Sequence, residues 1–468
     1  MKRFWALAIA IAALTVWTVP ALAEVKFGGE YRLRAENWNE TDFWDNSPLN
    51  DDDVAYYGQR VRLTGVATPT DDTTIKITIQ DTRTWGETGA VSLTDAGCSS
   101  TVTDSGGDTH TDTSACNTVD LHESFLQINK FFGTPISLKV GRQELVYGDQ
   151  RLIGHTGWSN NGRSFDALKL MYSNDTVNVD AFTAKIVDNN GQLSWSATAT
   201  PGPSDDDIDF YGIYATIKSI PNNTLDVYAL LYRDGGAASV SGEIATDLRT
   251  YGVRLAGKAA GIDYTAEVPF QTGEADCGMA SLCDIDALAY AIKVGYAIPN
   301  NSLGLRVGAE YDYASGDDDA TDNDIETFTQ LYPTNHDKYG FMDQQGWRNM
   351  KAWNLNVSAK PTAKLGVRLD YWSFAVAEEA DDWYSAAGVG GNATGTSVRN
   401  GCTTCDDQMG TEIDLTVNYK YSDVVGIQAG VSRFMAGSGL EDRLQANVSA
   451  TADTEDMDWA FVQLTANF

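Results

Sequence analysis

The chain has 468 residues, 65 acidic side chains against 33 basic ones, a formal net charge of -32 and 43% hydrophobic residues. That apolar content is too high for a disordered chain, and so acidic a balance excludes nucleic acid as a partner, because phosphate binding needs a basic face. Beyond the N-terminus no run of 18 apolar residues occurs, which excludes helical membrane spans.

Lys2 and Arg3 precede an apolar stretch from Phe4 to Val19, Pro20 breaks it, and Ala21-Leu22-Ala23 is a small-x-small cleavage site. Residues 1–23 therefore read as a secretory signal peptide, with a mature chain that begins at Glu24 and works outside the cytoplasm. From there on the hydrophobic pattern has period two. Phe27, Tyr31 and Leu33 interleave with Glu30, Arg32 and Arg34, and Ile75, Ile77 and Ile79 with Lys76, Thr78 and Gln80. The same alternation returns over 303–313, 365–371 and 413–419. Each such strand has one apolar and one polar face.

Turn signals at 69–72, 133–135, 173–176, 219–223, 260–261, 299–301, 361–363 and 421–423 alternate with long polar insertions at 39–53, 87–118, 146–162, 189–209, 234–247, 272–286, 317–350, 378–409 and 436–456. Together they separate 18 strands of about 10–15 residues, the length a tilted strand needs to cross a bilayer. The fold expected is all-β: a transmembrane antiparallel β-barrel over 24–468, a single domain with short periplasmic turns and long extracellular loops in a bacterial outer membrane. The last strand, 457–468, carries Val462, Leu464, Ala466 and Phe468 on one face, as a closing strand facing lipid should. Tyr56, Tyr57, Trp85, Tyr172, Tyr296, Tyr371 and Trp459 lie near strand ends and suggest interfacial girdles.

Six cysteines form three sequential pairs, each inside one long loop: Cys98 with Cys116, Cys277 with Cys283, and Cys402 with Cys405. Fifteen connectivities are open in principle; an oxidising compartment and separate loops favour the local pairing. Asp406 stands where a c-type haem site needs His. Four His, no GxSxG and no HExxH leave no catalytic constellation, so neither an enzyme nor a cofactor is expected.

The distribution of charge sharpens the reading. Apart from 146–162, the long loops hold 41 acidic residues and four basic ones, Lys338, Arg348, Arg399 and Arg443. Basic residues therefore concentrate in strands, where they must face the lumen, since Lys or Arg on the lipid face costs about 2–4 kcal/mol at the midplane. Parity turns Arg32, Arg34, Arg60, Arg62, Lys76, Lys139, Arg163 and Lys169 inward, while Asp263, Glu267, Arg306, Glu310, Asp312, Arg368, Asp370, Glu412 and Asp414 mix the signs on later strands. One reading is cross-strand ion pairing that stiffens the wall; the other is a basic stripe favouring anionic solutes. The loop acids read as solvated surface, with outer-membrane lipid and lipopolysaccharide nearby. The tracts 51–53, 205–207 and 317–319 lack EF-hand spacing, so no metal site is assigned.

Between 140 and 172 stands the run Gly141-Arg142-Gln143-Glu144-Leu145-Val146-Tyr147-Gly148-Asp149-Gln150-Arg151-Leu152-Ile153-Gly154, then Trp158-Ser159-Asn160 and Gly162-Arg163-Ser164-Phe165-Asp166-Ala167. It resembles the signature of the alginate export family of outer-membrane porins. Gly28-Gly29-Glu30-Tyr31-Arg32-Leu33-Arg34, Gln59-Arg60-Val61-Arg62-Leu63, Gln80-Asp81-Thr82-Arg83-Thr84-Trp85-Gly86 and Val119-Asp120-Leu121-His122-Glu123 resemble the strands before it. The resemblance implies a monomeric 18-stranded barrel whose lumen arginines escort an anionic polyuronate. It places Arg142 in the pore, with Arg60, Arg62, Arg83, Arg151 and Arg163 around it. Strict alternation from Ile136 points Arg142 outward, so a pore position requires a bulge at Gly141. The function expected is passive passage of hydrophilic, anionic solutes, with loop 146–162 as a candidate constriction. The alternatives are a plugged barrel whose disulfide-stapled acidic loops bind cations or a partner, and the sheath of an electron conduit that recruits separate cytochromes.

Overall fold

The computed structural model describes residues 24–39, 53–85, 100–103, 109–112, 119–187, 207–237, 244–278, 281–319, 321–391, 397–451 and 453–468. The expected signal peptide and the Cys98–Cys116 pair lie outside the described residues. Among the described residues eighteen strands form the barrel wall, in chain order β1 (Glu24–Asn39), β2 (Val54–Thr70), β3 (Thr73–Thr84), β4 (Asp120–Ile128), β5 (Ile136–Gln143), β6 (Phe165–Ser173), β7 (Val177–Val187), β8 (Ile208–Ile217), β9 (Asn223–Ala237), β10 (Ile244–Ala259), β11 (Ile262–Ala275), β12 (Cys283–Ala297), β13 (Arg306–Ala314), β14 (Met350–Thr362), β15 (Leu365–Ala375), β16 (Gln408–Lys420), β17 (Val425–Ala436) and β18 (Met457–Asn467), with three shorter strands in the long connections. Each pairs antiparallel with its chain neighbours, and β1 pairs with both β2 and β18, so the sheet closes. Closure is what an apolar solvent demands, because an open edge would leave backbone amides without partners. The short connections fall at one end of the barrel and the long ones at the other.

The burial pattern inverts that of a soluble protein. On β12 the outward Leu288, Ile292 and Val294 are exposed, while the inward Ala287, Ala289 and Ala291 are buried. The buried core lies inside the barrel, towards the long-loop end, where Trp347, Trp372, Trp383, Phe328, Phe374 and Phe434 are all fully enclosed. Tyr57 and Trp85 stack on the outer face with ring centroids 5.8 Å apart, as a girdle should. Trp459 does not join them. Asp458 takes the outward position, so Trp459 shares inward parity with Met457 and Phe461 and packs at 5.4 Å against Trp38.

Among the described residues, the connections 378–409 and 436–456 form a cap at the long-loop end. Disulfides join Cys277 to Cys283 and Cys402 to Cys405. Helix α1 (Ser438–Asn447) carries the fully buried Arg443, which donates to the carbonyls of Glu379 (2.8 Å), Asp381 (3.1 Å) and Asn400 (2.7 Å). Beside it, burial pushes the Asp381 carboxyl above the usual aspartate range, although Thr327 and Tyr384 hydroxyls donate to it at 2.6 and 2.9 Å.

The seam that closes the barrel depends on one glycine. The backbones of Gly29 and Phe468 exchange hydrogen bonds of 2.8 and 3.1 Å, and a Cβ on Gly29 would lie 2.6 Å from both the Phe468 ring and the Arg62 carbonyl oxygen. Gly29→Val should therefore cost about 1–3 kcal/mol by overpacking and lower the fraction of heat-modifiable, assembled barrel on semi-native gels. Full assembly of the variant would contradict this.

Candidate functional site

The connection from β5 to β6, residues 144–164, turns into the barrel and crosses it. Four lumen arginines of β1 and β2 hold its backbone. Arg32 donates to the carbonyls of Gly157 (2.8 Å) and Ser159 (3.0 Å) and to the Asn160 side chain (2.7 Å). Arg60 reaches the same two carbonyls at 3.1 and 2.9 Å. Arg34 donates to the Trp158 carbonyl at 2.8 Å. Arg62 bonds Gln80, whose amide donates to the Asn161 carbonyl at 2.8 Å. A guanidinium has five donors and no acceptor, so a run of carbonyls suits it, and each charge-assisted bond contributes about 1.5–3 kcal/mol. Arg32, Arg34 and Arg60 are each under 5% exposed as a result.

The opposite wall holds the other end of the segment through carboxylates. Arg151, fully buried, pairs with Glu310 and with Asp312 (3.2 Å) and donates to the Tyr339 hydroxyl at 2.6 Å. Asp149 pairs with Arg254, itself 2.9 Å from Asp226. Tyr147 donates to Asp180 at 3.0 Å, and Lys169 faces that same carboxylate at 3.2 Å. Lys139 and Lys76 line the lumen nearby, the former 3.7 Å from the Phe125 ring centre and the latter paired with Glu123.

A second long connection, between β13 and β14, folds in beside the first. The two join as a short ladder, with Tyr332 N–H on the Leu152 carbonyl (2.9 Å), Gly154 N–H on the Tyr332 carbonyl (2.8 Å) and Thr334 N–H on the Gln150 carbonyl (2.8 Å). Arg163 lies in the loop rather than in β6, and donates to the Pro333 carbonyl at 2.8 Å. From the wall, Glu412 accepts the N–H groups of Phe341 (2.6 Å) and Met342 (2.9 Å). Trp158 is the hinge pin of the assembly. Its ring is sandwiched between the Arg34 guanidinium at 3.8 Å and the His336 ring at 3.9 Å, with Phe461 edge-on at 4.9 Å.

Two of the expected pore residues lie elsewhere. Arg142 faces outward and pairs with Asp166 at 3.0 Å. The backbone does enter the left-handed half of the map at Gly141 (φ 120), but the pairing with β4 and β6 stays in step on both sides of it, so parity is never reset. Arg83 shares the outward parity of Ile75, Ile77 and Ile79, and pairs with Asp81. The residues that sequence reasoning missed are Trp158 as a stacking anchor, the Glu310, Asp312 and Tyr339 cage around Arg151, and the whole second inward loop. The available signal was apolar residues within nominally polar loops: Leu152-Ile153, Phe341-Met342 and Trp347. Among the described residues no group of three or more His, Cys, Asp or Glu is placed to hold a metal ion.

Space remains along one side. A cavity of about 290 Å³ under the inward loops is lined by Arg32, His155, Trp158, His336, Lys338 and the wall residues Gln428 and Gln463. Those two glutamines also line a cavity of about 690 Å³ at the short-turn end, where Lys360, Lys364, Asn418, Lys420 and Thr465 contribute.

The model of a family described as alginate export matches residues 23–452. The chain belongs to the alginate export family. It is a bacterial outer-membrane β-barrel, and the family and fold are those of a porin-like channel. Among solved structures, Pseudomonas aeruginosa OccK9 (OpdG) superposes with a TM-score of 0.57 at 12% identity, covering 95% of this chain and 99% of its own. P. aeruginosa OccK1 (OpdK) gives 0.56 at 11% identity with 95% and 98% covered, and Acinetobacter baumannii OccAB4 gives 0.52 at 14% with 96% and 100% covered. At these identities the likeness is one of fold. No curated protein matches the sequence significantly.

If the arginine–carbonyl grip holds the first loop in place, Trp158→Ala should free it, since a desolvated cation–π sandwich contributes about 2 kcal/mol. Single-channel conductance of that variant in planar bilayers is expected to rise several-fold over the unsubstituted protein. Unchanged conductance would mean that the loop does not obstruct the pore.

Proposed function

We propose that this barrel is a normally constricted outer-membrane channel for anionic hydrophilic solutes, polyuronate or oligosaccharide in character, that pass along the β16–β18 side of the lumen. The observation that carries the reading is the pair of cavities that share Gln428 and Gln463. Their lining supplies Arg32, Lys338, Lys360, Lys364 and Lys420 against Asp337 and Asp423, a positive balance along a path that also carries the amides of Gln150, Asn418, Gln428, Gln463 and Asn467. Amides offer donors and acceptors to sugar hydroxyls, and the ammonium and guanidinium groups offer charge to carboxylates. Membership of the alginate export family supports a polyuronate, and one relative of the same fold, OpdK, is described with vanillate, also a carboxylate.

In this reading the basic stripe is only partly available to solute. Arg34, Arg60 and Arg62 hold loops, and Arg32 alone of that set lines the free space. Passage then requires the 144–164 segment to shift, which trades the Arg32 contact with loop carbonyls for contact with a solute carboxylate. The plugged barrel with a binding surface keeps a specific observation in its favour: the Arg151 cage fixes the 144–164 segment to β13, and Arg443 ties the 436–456 connection to the 378–409 connection. That version predicts no conductance at all.

The experiment is the reversal potential of the purified protein in a bilayer under a salt gradient. Anion preference is expected, and Arg32→Gln together with Lys420→Gln should lower it. Cation preference would defeat the anionic reading, and silence in both the parent and Trp158→Ala would favour the plugged anchor.

A further inference from the structure

The cavity of about 290 Å³ beneath the inward loops contains a polar atom that no described residue engages. His155 lines that cavity, and its Nδ1 lies 2.7 Å from Gln150 Oε1. The same oxygen accepts the Thr334 hydroxyl at 3.0 Å. An amide oxygen only accepts, so the ring N–H of His155 is spent on Gln150 and Nε2 of the imidazole holds the lone pair. Among the described residues Nε2 has no hydrogen-bond partner, and it stays accessible to solvent. Gly157 keeps it uncovered. A Cβ there would fall 2.8 Å from Nε2, so any side chain would crowd that nitrogen. The backbone does not call for glycine at 157, because its φ lies outside the left-handed region.

The other rings of the cavity are not available to a solute. Trp158 has both faces covered, by Arg34 and by His336. His336 has Nδ1 on Asp343 at 2.9 Å and Nε2 sealed from solvent, and Phe341 is buried. A sugar ring held here is therefore read by hydrogen bonds rather than by stacking. For its carboxylate the lining offers Lys338, which spends one of three N–H donors on Asp337 at 2.7 Å and keeps two. At about 30 Å³ per water the cavity has the room of about ten waters, which suits one ring. We propose that His155 is a specificity-determining residue: its Nε2 accepts a hydroxyl of a single hydroxylated acid in this cavity while Lys338 donates to the carboxylate. The site then prefers sugar acids to carboxylates of like size and charge that lack hydroxyls. The inference rests on the anionic-solute reading above and adds which anions are held.

The test is equilibrium binding to the purified full-length protein in detergent, read by saturation-transfer NMR titration, with glucuronate and cyclohexanecarboxylate as the probes. Both are singly charged six-membered rings, and only the first carries hydroxyls. Glucuronate should bind the unsubstituted protein about tenfold more tightly, the ratio that one well-made hydrogen bond contributes. His155→Asn keeps a donor for Gln150 and removes the acceptor, so it should erase the preference, and Gly157→Ala should do so by crowding Nε2. His155→Gln places an amide where Nε2 lay and should keep most of it. Heat-modifiability on gels reports that each variant is folded. Equal binding of the two acids by the unsubstituted protein, or binding of neither, would overturn the proposal whether or not the variants fold. So would a folded His155→Asn protein that keeps the preference. The reversal potential separates this result from the reading beneath it. Anion permeation without the preference removes only the subsite, and the preference in a cation-selective or silent barrel removes only the channel reading.

Discussion

A residue on the outer face of a membrane barrel meets hydrocarbon, and a charge placed there without a partner has nowhere to go. That one constraint sorts the charged residues of this chain. Those within the crossing must turn inward, and those that turn outward must lie at the rim. Period-two geometry leaves a strand no third option, which is why Arg32, Arg34, Arg60 and Arg62 share one face and Arg83 and Arg142 the other.

Inward charges then face their own difficulty, because burying a cation without donors satisfied is costly. The protein resolves it with its own loops. Arginines on β1 and β2 take carbonyls of 157–159, carboxylates on β13 take Arg151, and Glu412 takes two backbone amides. Wall and loop are each incomplete alone. A lumen of this width would be an aqueous channel; here its long-loop half is a packed core with Trp347, Phe328 and Tyr339 at its centre. The mixed signs that look like a blurred selectivity filter are two kinds of clamp, guanidinium groups that hold loop carbonyls and carboxylates that hold Arg151 and backbone amides. The clamps leave free space on one side of the barrel, around Gln428 and Gln463, and the proposed function assigns selectivity to it.

The architecture was legible in the sequence because barrel strands announce themselves through alternation and connection length, both local properties. Eight short turns read from residues such as 260–261 and 361–363 coincide with the strand junctions, and the two loop-confined disulfides that fall among the described residues form as paired. The site was legible only in part. Parity identified Arg32, Arg34, Arg60 and Arg62 as inward, but the carbonyls they hold are 97 to 127 residues away in sequence, and backbone has no signature. Arg142 went astray because its place was carried over by resemblance against its own alternation, and the alternation prevailed. Trp459 was misplaced for the opposite reason: an aromatic near a strand end satisfies the girdle pattern on either face, and only its parity with Met457 and Phe461 decides between them.

The central claim is that the 144–164 segment, clamped to the β1–β2 wall, controls the pore. It can be tested by locking the clamp covalently. A Cβ on Gly58 would lie 2.5 Å from the Asn160 side-chain nitrogen and 3.4 Å from its Cγ, close enough for Gly58→Cys and Asn160→Cys to form a disulfide across wall and loop. Single-channel recordings of the oxidised double variant should show a closed pore that regains the openings of the parent when reductant is added, with the parent recorded under the same reductant as reference. Equal conductance in the oxidised and reduced states would contradict the account.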